Sequence, residues 1–222
     1  MKVLIHACPQ RMWYVEEFLV PSLREQGAEN IEIWNDTEGR GNLQSCMESF
    51  AARPEGDGAT WHIQDDVLLC RDFVQRCRAL DEAGVVYGFC NEQFQDDPRQ
   101  RGLVYLPDAW HSFQCVRIPD RYARECAEWF FTDAQHRFIF HEWVKTGKMD
   151  DSFFRAYLED RHPYEMIHNA APNLVEHVDR LIGGSILSEW RSFWARAHFW
   201  EDADLVEDLK TRIKARGLGL RA

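Results

Sequence analysis

Trp61-His62-Ile63-Gln64-Asp65-Asp66-Val67-Leu68-Leu69 is an apolar, β-prone run interrupted by two adjacent carboxylates. Turn formers Gly56-Asp57-Gly58 precede it and a helical pattern follows it, so it reads as a buried strand that ends in acid. Such a strand cannot hold two ionised groups inside a core without a partner. The pair therefore belongs at an open sheet edge or on a shared cation, and strand ends of α/β sheets are where ligands bind.

Upstream, Lys2 to Ala7 is a short apolar run of the parallel-strand type, ended by Cys8-Pro9-Gln10. Trp13, Val15, Phe18, Leu19 and Leu23 recur at helical spacing up to Gly27, a suitable C-terminal stop. Ile31-Glu32-Ile33-Trp34 reads as a second strand ending at Asn35-Asp36. Strand, helix and strand in this compass imply a right-handed crossover and a parallel sheet. The Gly-rich loop Thr37-Glu38-Gly39-Arg40-Gly41-Asn42 then leads into a helix from Leu43 to Ala52. It lacks the Lys-Ser/Thr ending of a phosphate loop.

Downstream, the spacing predicts a helix over Phe73 to Ala83, a strand over Gly84 to Cys90 and a polar loop from Asn91 to Gly102. Short strands are expected around Leu103 to Leu106 and Gln114 to Ile118, then helices from Arg121 to Phe131 and Ala134 to Lys145. Asp150-Asp151 opens a helix ending near Leu158, and Tyr164 to Ile167 is expected as the last strand. In the tail, Trp190, Phe193, Trp194, Ala197 and Trp200 fall on one helical stripe, followed by Leu205, Val206, Leu209 and Ile213. That gives a domain over 1–187 and a helical, aromatic-rich extension over 188–222, packed on the domain or at a homodimer contact.

Composition sets the outer bounds. The 222 residues are 45% hydrophobic, enough for a sizeable core. A net charge of −11 argues against a broad grip on a phosphate backbone, so nucleic acid is not an expected partner except as an acceptor. Seven cysteines without a Cys-x-x-Cys pair read as free thiols. No stretch reaches the roughly 18 apolar residues of a membrane span. The opening Met1-Lys2-Val3-Leu4-Ile5-His6 turns polar too soon for a signal peptide, so the cytoplasm is expected.

Four constellations carry chemistry. Gln64-Asp65-Asp66 offers hard oxygen ligands for magnesium or manganese, or alternatively caps the helix that follows. Asp150-Asp151-Ser152-Phe153-Phe154 offers a carboxylate that takes a proton from an attacking hydroxyl, or an N-terminal cap, or both. In Pro172-Asn173-Leu174-Val175-Glu176-His177-Val178, His177 is a metal ligand through neutral imidazole, or structural. Pro9, Arg11, Asp36, Arg40 and Asn42 follow strand ends that a parallel sheet places beside the third strand, where they can line a pocket for base, ribose and phosphate.

In that order, these pieces resemble the GT-A-fold glycosyltransferases over roughly residues 3 to 187. The resemblance rests on Ile63-Gln64-Asp65-Asp66-Val67, Met149-Asp150-Asp151-Ser152-Phe153-Phe154, and Pro172-Asn173-Leu174-Val175-Glu176-His177 followed by Gly183-Gly184-Ser185. It implies a Rossmann-like, mixed but mainly parallel α/β sheet flanked by helices. It also implies metal-dependent transfer of a glycosyl group from a nucleotide-diphosphate sugar, first among them a UDP-sugar, to an acceptor hydroxyl with inversion. Asp36 would bind the base or ribose, with Asp65 and Gln64 near the donor. Asp66 and His177 would hold Mn2+ or Mg2+, and Asp151, or failing it Asp150, would be the base.

Two departures stand out. Gln64 replaces the first acid of the family's triplet, and Trp110-His111-Ser112-Phe113 lacks the glycine often found there. A phosphohydrolase or nuclease would use the same acids around a cation. A nucleotidyltransferase shares a related fold, but Cys8-Pro9-Gln10-Arg11-Met12 offers little of its Gly-rich basic signature. A binding module without activity is the third alternative.

Overall fold

The computed structural model describes residues 1–81, 84–89, 102–105, 113–132, 150–183 and 203–217. The polar loop before Gly102, Trp110 to Ser112, the helix expected over 134–145, Gly184-Ser185, the aromatic stripe from Trp190 to Trp200 and the 187/188 boundary lie outside the described residues.

The strands are β1 (Lys2–Ala7), β2 (Asn30–Asn35), β3 (Ala59–Gln64), β4 (Val67–Leu69), β5 (Val85–Tyr87), β6 (Gly102–Tyr105), β7 (Cys115–Pro119), β8 (Ile167–Ala171) and β9 (Val175–His177). Seven form one sheet in the order β2-β1-β3-β7-β5-β8-β6. β1 runs parallel to β2 and β3, and β5 parallel to β8. β7 lies antiparallel to β3 and β5, and β6 antiparallel to β8. Only β7 and β6 are therefore reversed, and the sheet is mixed and mainly parallel, as expected.

Helices cover both faces. The first, α1, joins an α-turn Met12–Tyr14, a π-helical stretch Val15–Leu19 and an α-segment Val20–Glu25. The wide register closes with the Val20 N–H on the Val15 carbonyl, just before Pro21, which has no N–H to donate. α2 (Asn42–Ala51), α3 (Phe73–Ala79), α4 (Asp120–Thr132), α5 (Asp150–Arg161), α6 (Asp179–Ile182) and α7 (Ala203–Ala215) follow. One core layer gathers α1, α3, β4 and β9 around Ile5, Trp61, Ile63 and Phe73, and Leu209 and Ile213 of α7 join it. The other gathers α2, α4 and α5 around Phe50, Tyr87, Phe153 and Phe154.

Two sequence expectations are corrected. Trp61 to Leu69 is not one strand: the chain turns at Asp65-Asp66, and β4 leaves the main sheet to pair antiparallel with β9. The last strand of the main sheet starts at Ile167 rather than Tyr164. Tyr164 is 96% exposed, and the Glu165 N–H donates to the His162 carbonyl, so the chain is still turning out of α5 there.

Candidate functional site

Parallel pairing brings the C-terminal ends of β1, β2 and β3 together at one edge, since Ala7 sits opposite Asn35 and His6 opposite Gln64. After β1 the chain makes a 3-10 turn, Pro9–Arg11, with Pro9 exposed and Arg11 turned inward. There Arg11 Nη1 donates to Asp65 Oδ1 at 2.6 Å and to Asp66 Oδ2 at 2.6 Å. All three side chains are buried, at 6%, 5% and 2% exposure. The Cys8 N–H donates to Asp65 Oδ2 at 2.8 Å, and the Tyr14 hydroxyl holds the turn by donating to the Val67 carbonyl at 2.9 Å.

These contacts set the local electrostatics. Burial, opposed by Arg11 and reinforced by Asp66, raises the Asp65 carboxyl to about 6. Burial and Asp65 push the Cys8 thiol up to about 11. Burial works against the Arg11 charge, but Asp66 and Asp65 outweigh it, so its pKa rises further.

β9 brings His177 to the same corner, opposite Val67. Its Nε2 lies 3.2 Å from Asp66 Oδ2 and 3.7 Å from Asp179 Oδ1. Beside it, burial lifts the Glu176 carboxyl to about 8. Glu176 and Asp179 were not singled out by sequence. The β4–β9 pairing, long-range in sequence, brings His177 to the acids, with Asp179 on its other side.

Asp36 shapes the Gly-rich loop. Its Oδ1 accepts from the Arg40 N–H at 3.0 Å and its Oδ2 from the Gly41 N–H at 3.0 Å. Gly39 and Gly41 take positive φ of 67° and 90°, which glycine allows without strain. The loop thus turns tightly into Asn42, the first residue of α2. Arg40 faces acids as well, 2.5 Å from Glu48 and 3.5 Å from Asp36.

The second acid pair opens α5 at this edge. Asp150 is buried, and its Oδ2 accepts from Gln64 Nε2 at 3.2 Å. Asp151 is half-buried and accepts from the Ser152 N–H at 2.6 Å. Burial, and then Asp151, raise the pKa of the Tyr87 hydroxyl well above its usual range. On the same face as Gln64, His6 Nε2 stands 3.0 Å from His62 Nδ1, and burial lowers His6 to about 3. Sequence had not named this neutral imidazole pair either. Alternation along β1 and β3 from Gln64 was the signal that could have found it.

Every sequence-expected site residue is therefore described. Arg11, Asp65, Asp66 and His177 meet at one corner, Gln64 and Asp150 at another, and Asp36, Arg40 and Asn42 in the loop.

The resemblance implies a divalent metal at Asp66 and His177, and the residues as arranged do not fit one. The Asp66 oxygen nearest His177 is also the one that receives Arg11. Gln64 turns its amide to Asp150 rather than supplying an acid. Among the described residues, no group of three or more His, Cys, Asp and Glu could hold a metal ion.

No family model and no curated protein matches the sequence. Solved structures give backbone likenesses at low identity. A nucleoside-diphosphate-sugar pyrophosphorylase from Vibrio cholerae is 14% identical, with 80% of this chain and 76% of that one covered at a TM-score of 0.42. A 4-diphosphocytidyl-2C-methyl-D-erythritol synthase from Anaerococcus prevotii is 10% identical, covering 77% and 88% at 0.40. Mouse xyloside xylosyltransferase 1 is 10% identical, covering 76% and 84% at 0.37. At these scores the likenesses carry no argument about function. Among the described residues, no helix is long and apolar enough to cross a membrane.

Proposed function

We propose that the chain is a transferase acting on a nucleotide-activated sugar and that it moves the glycosyl group to an acceptor hydroxyl with inversion. The observation that supports this most is the convergence of the Asp36–Asn42 loop, the Arg11–Asp65–Asp66 corner and the first turn of α5 at one sheet edge. The donor's base and ribose lie along the loop, with Asp36, Arg40, Asn42 and Pro9 around them. Asp150 is held to the sheet by Gln64, which leaves the more open Asp151 as the base.

Asp151 takes the proton of the acceptor hydroxyl, and the freed oxygen attacks the anomeric carbon. The bond from that carbon to the donor's phosphate oxygen breaks, and its electron pair leaves with the phosphate. Mn2+ or Mg2+ would serve this chemistry as a Lewis acid, but Asp66 and His177 as arranged do not fit one.

The test is thermal stability with each nucleoside diphosphate in turn, followed by transfer from the matching nucleotide sugar. One nucleotide is expected to stabilise the protein. Asp151→Asn is expected to keep that stabilisation while transfer falls at least ~100-fold, the range of a lost general base. Absence of stabilisation by every nucleotide would sink the reading.

A second reading, nucleotidyl transfer, draws on the same convergence of the Asp36–Asn42 loop with the ends of β1 and β3. Release of pyrophosphate from a nucleoside triphosphate and a sugar phosphate, without glycosyl transfer, would select it.

A further inference from the structure

We infer that Arg11 is the resident cation of the Asp65–Asp66 pair and that this corner takes no divalent metal while Arg11 is in place. A single guanidinium nitrogen bridges one oxygen of each carboxylate at 2.6 Å, as a metal ion shared between two acids would. All three groups are buried, so the bridge stands where water screens little. Arg11 enters from a turn anchored by the Arg11 N–H on the Cys8 carbonyl at 3.0 Å, and Cys8 in turn donates to Asp65. The cation is thus fixed to the chain from two sides.

A metal at Asp66 would have to displace the guanidinium from its oxygen or lie beside a like charge in a poorly screened place. Gln64 points the same way, because its amide is spent on Asp150. Removing the guanidinium changes the account. With it gone, His177 Nε2 keeps Asp66 Oδ2 at 3.2 Å and Asp179 Oδ1 at 3.7 Å, and carboxylate with imidazole is a donor set that manganese accepts once these side chains turn to it. Arg11 is what keeps that corner closed to metal.

The consequence for catalysis rests on the nucleotide-sugar reading: donor binding is indifferent to chelators. The inference about Arg11 does not need that reading, and its test contains no sugar. Manganese uptake is followed by the loss of the free Mn2+ electron-spin signal on titration, with and without UDP. Wild type and Asp66→Asn are expected to behave alike, while Arg11→Gln gains one bound manganese per chain and loses it again when Asp66→Asn is added.

Wild-type uptake that disappears in Asp66→Asn would overturn the inference, and so would a folded Arg11→Gln that gains nothing. Where Arg11→Gln does not fold, the comparison of wild type with Asp66→Asn decides alone. Any nucleotide that stabilises the wild type is expected to do so equally in EDTA. A failure of all nucleotides would leave the manganese result standing and remove only the glycosyl-transfer reading.

Discussion

Two pairs of adjacent aspartates stand at the same sheet edge, and the chain treats them in opposite ways. Asp65 and Asp66 are both buried and share one guanidinium. Asp150 and Asp151 are divided, one buried against Gln64 and one half open beside Ser152. Like charges side by side in a poorly screened place must be neutralised together or separated. The first pair is held together by one shared cation, which makes it a fixed electrostatic feature. The second is separated, one carboxylate facing the strand end and the other the first turn of its own helix.

The sharpest way to break this contrast is Arg11→Ala, which leaves the first pair buried without its bridging cation. Loss of one partner from a buried ion pair costs about 3–5 kcal/mol. Urea unfolding should show a loss of that size, and an unchanged midpoint would mean the bridge is incidental. Arg155→Ala, which removes an exposed pair with Glu159 on the outside of α5, is the control expected to change little.

Glu176, beside His177 on β9, is a buried carboxyl with no such cation among the described residues. Its folded pKa, about 8, lies above the ordinary 4.5, so the folded state holds a proton that the unfolded state has released. The stability that proton contributes is full below about 4.5 and is lost as pH rises to about 8. In that window the expected decline approaches 1.4 kcal/mol per pH unit, roughly the cost of one pKa unit. Denaturation profiles of wild type and Glu176→Gln check it, since the variant should lose most of this slope. Parallel profiles would show that Glu176 is better solvated than its burial suggests.

The smallest effect is on the second pair. Gln64→Ala removes the hydrogen bond to Asp150 and is expected to cost about 1 kcal/mol. Thermal unfolding measures it. If the cost is nil, Asp150 is held by its helix and not by the strand end.

Much of the fold was legible because β1, β2 and β3 follow closely in sequence, β1 and β3 carry the apolar runs of buried strands and β2 is an edge strand with Ile31, Ile33 and Trp34. The acid turn was legible for the same reason, as a polar interruption in such a run. The β4–β9 ribbon was not. Its strands are three residues each and lie about a hundred residues apart, too short for periodicity to register. Likewise, Arg11 could be placed at a strand end, but the side it faces depends on how the 3-10 turn closes. Asp36 also holds its own loop through two backbone N–H groups, a role its place after a strand does not announce. Local hydrogen bonding of that kind competes for every Asp near glycine and leaves no mark on spacing.

The reversed strand β7 has a consequence for how the chain comes together. Among the described strands it alone joins the β2-β1-β3 half of the sheet to the β5-β8-β6 half. The first half closes within residues 2–64, while the second needs β8, more than a hundred residues later. Short loops close sooner than long ones. The N-terminal half is therefore expected to assemble first, with β7 as the seam at which the two halves are knitted. Pulse-labelled hydrogen exchange during refolding would show β1 and β3 protected before β8, and simultaneous protection would argue for a single concerted step.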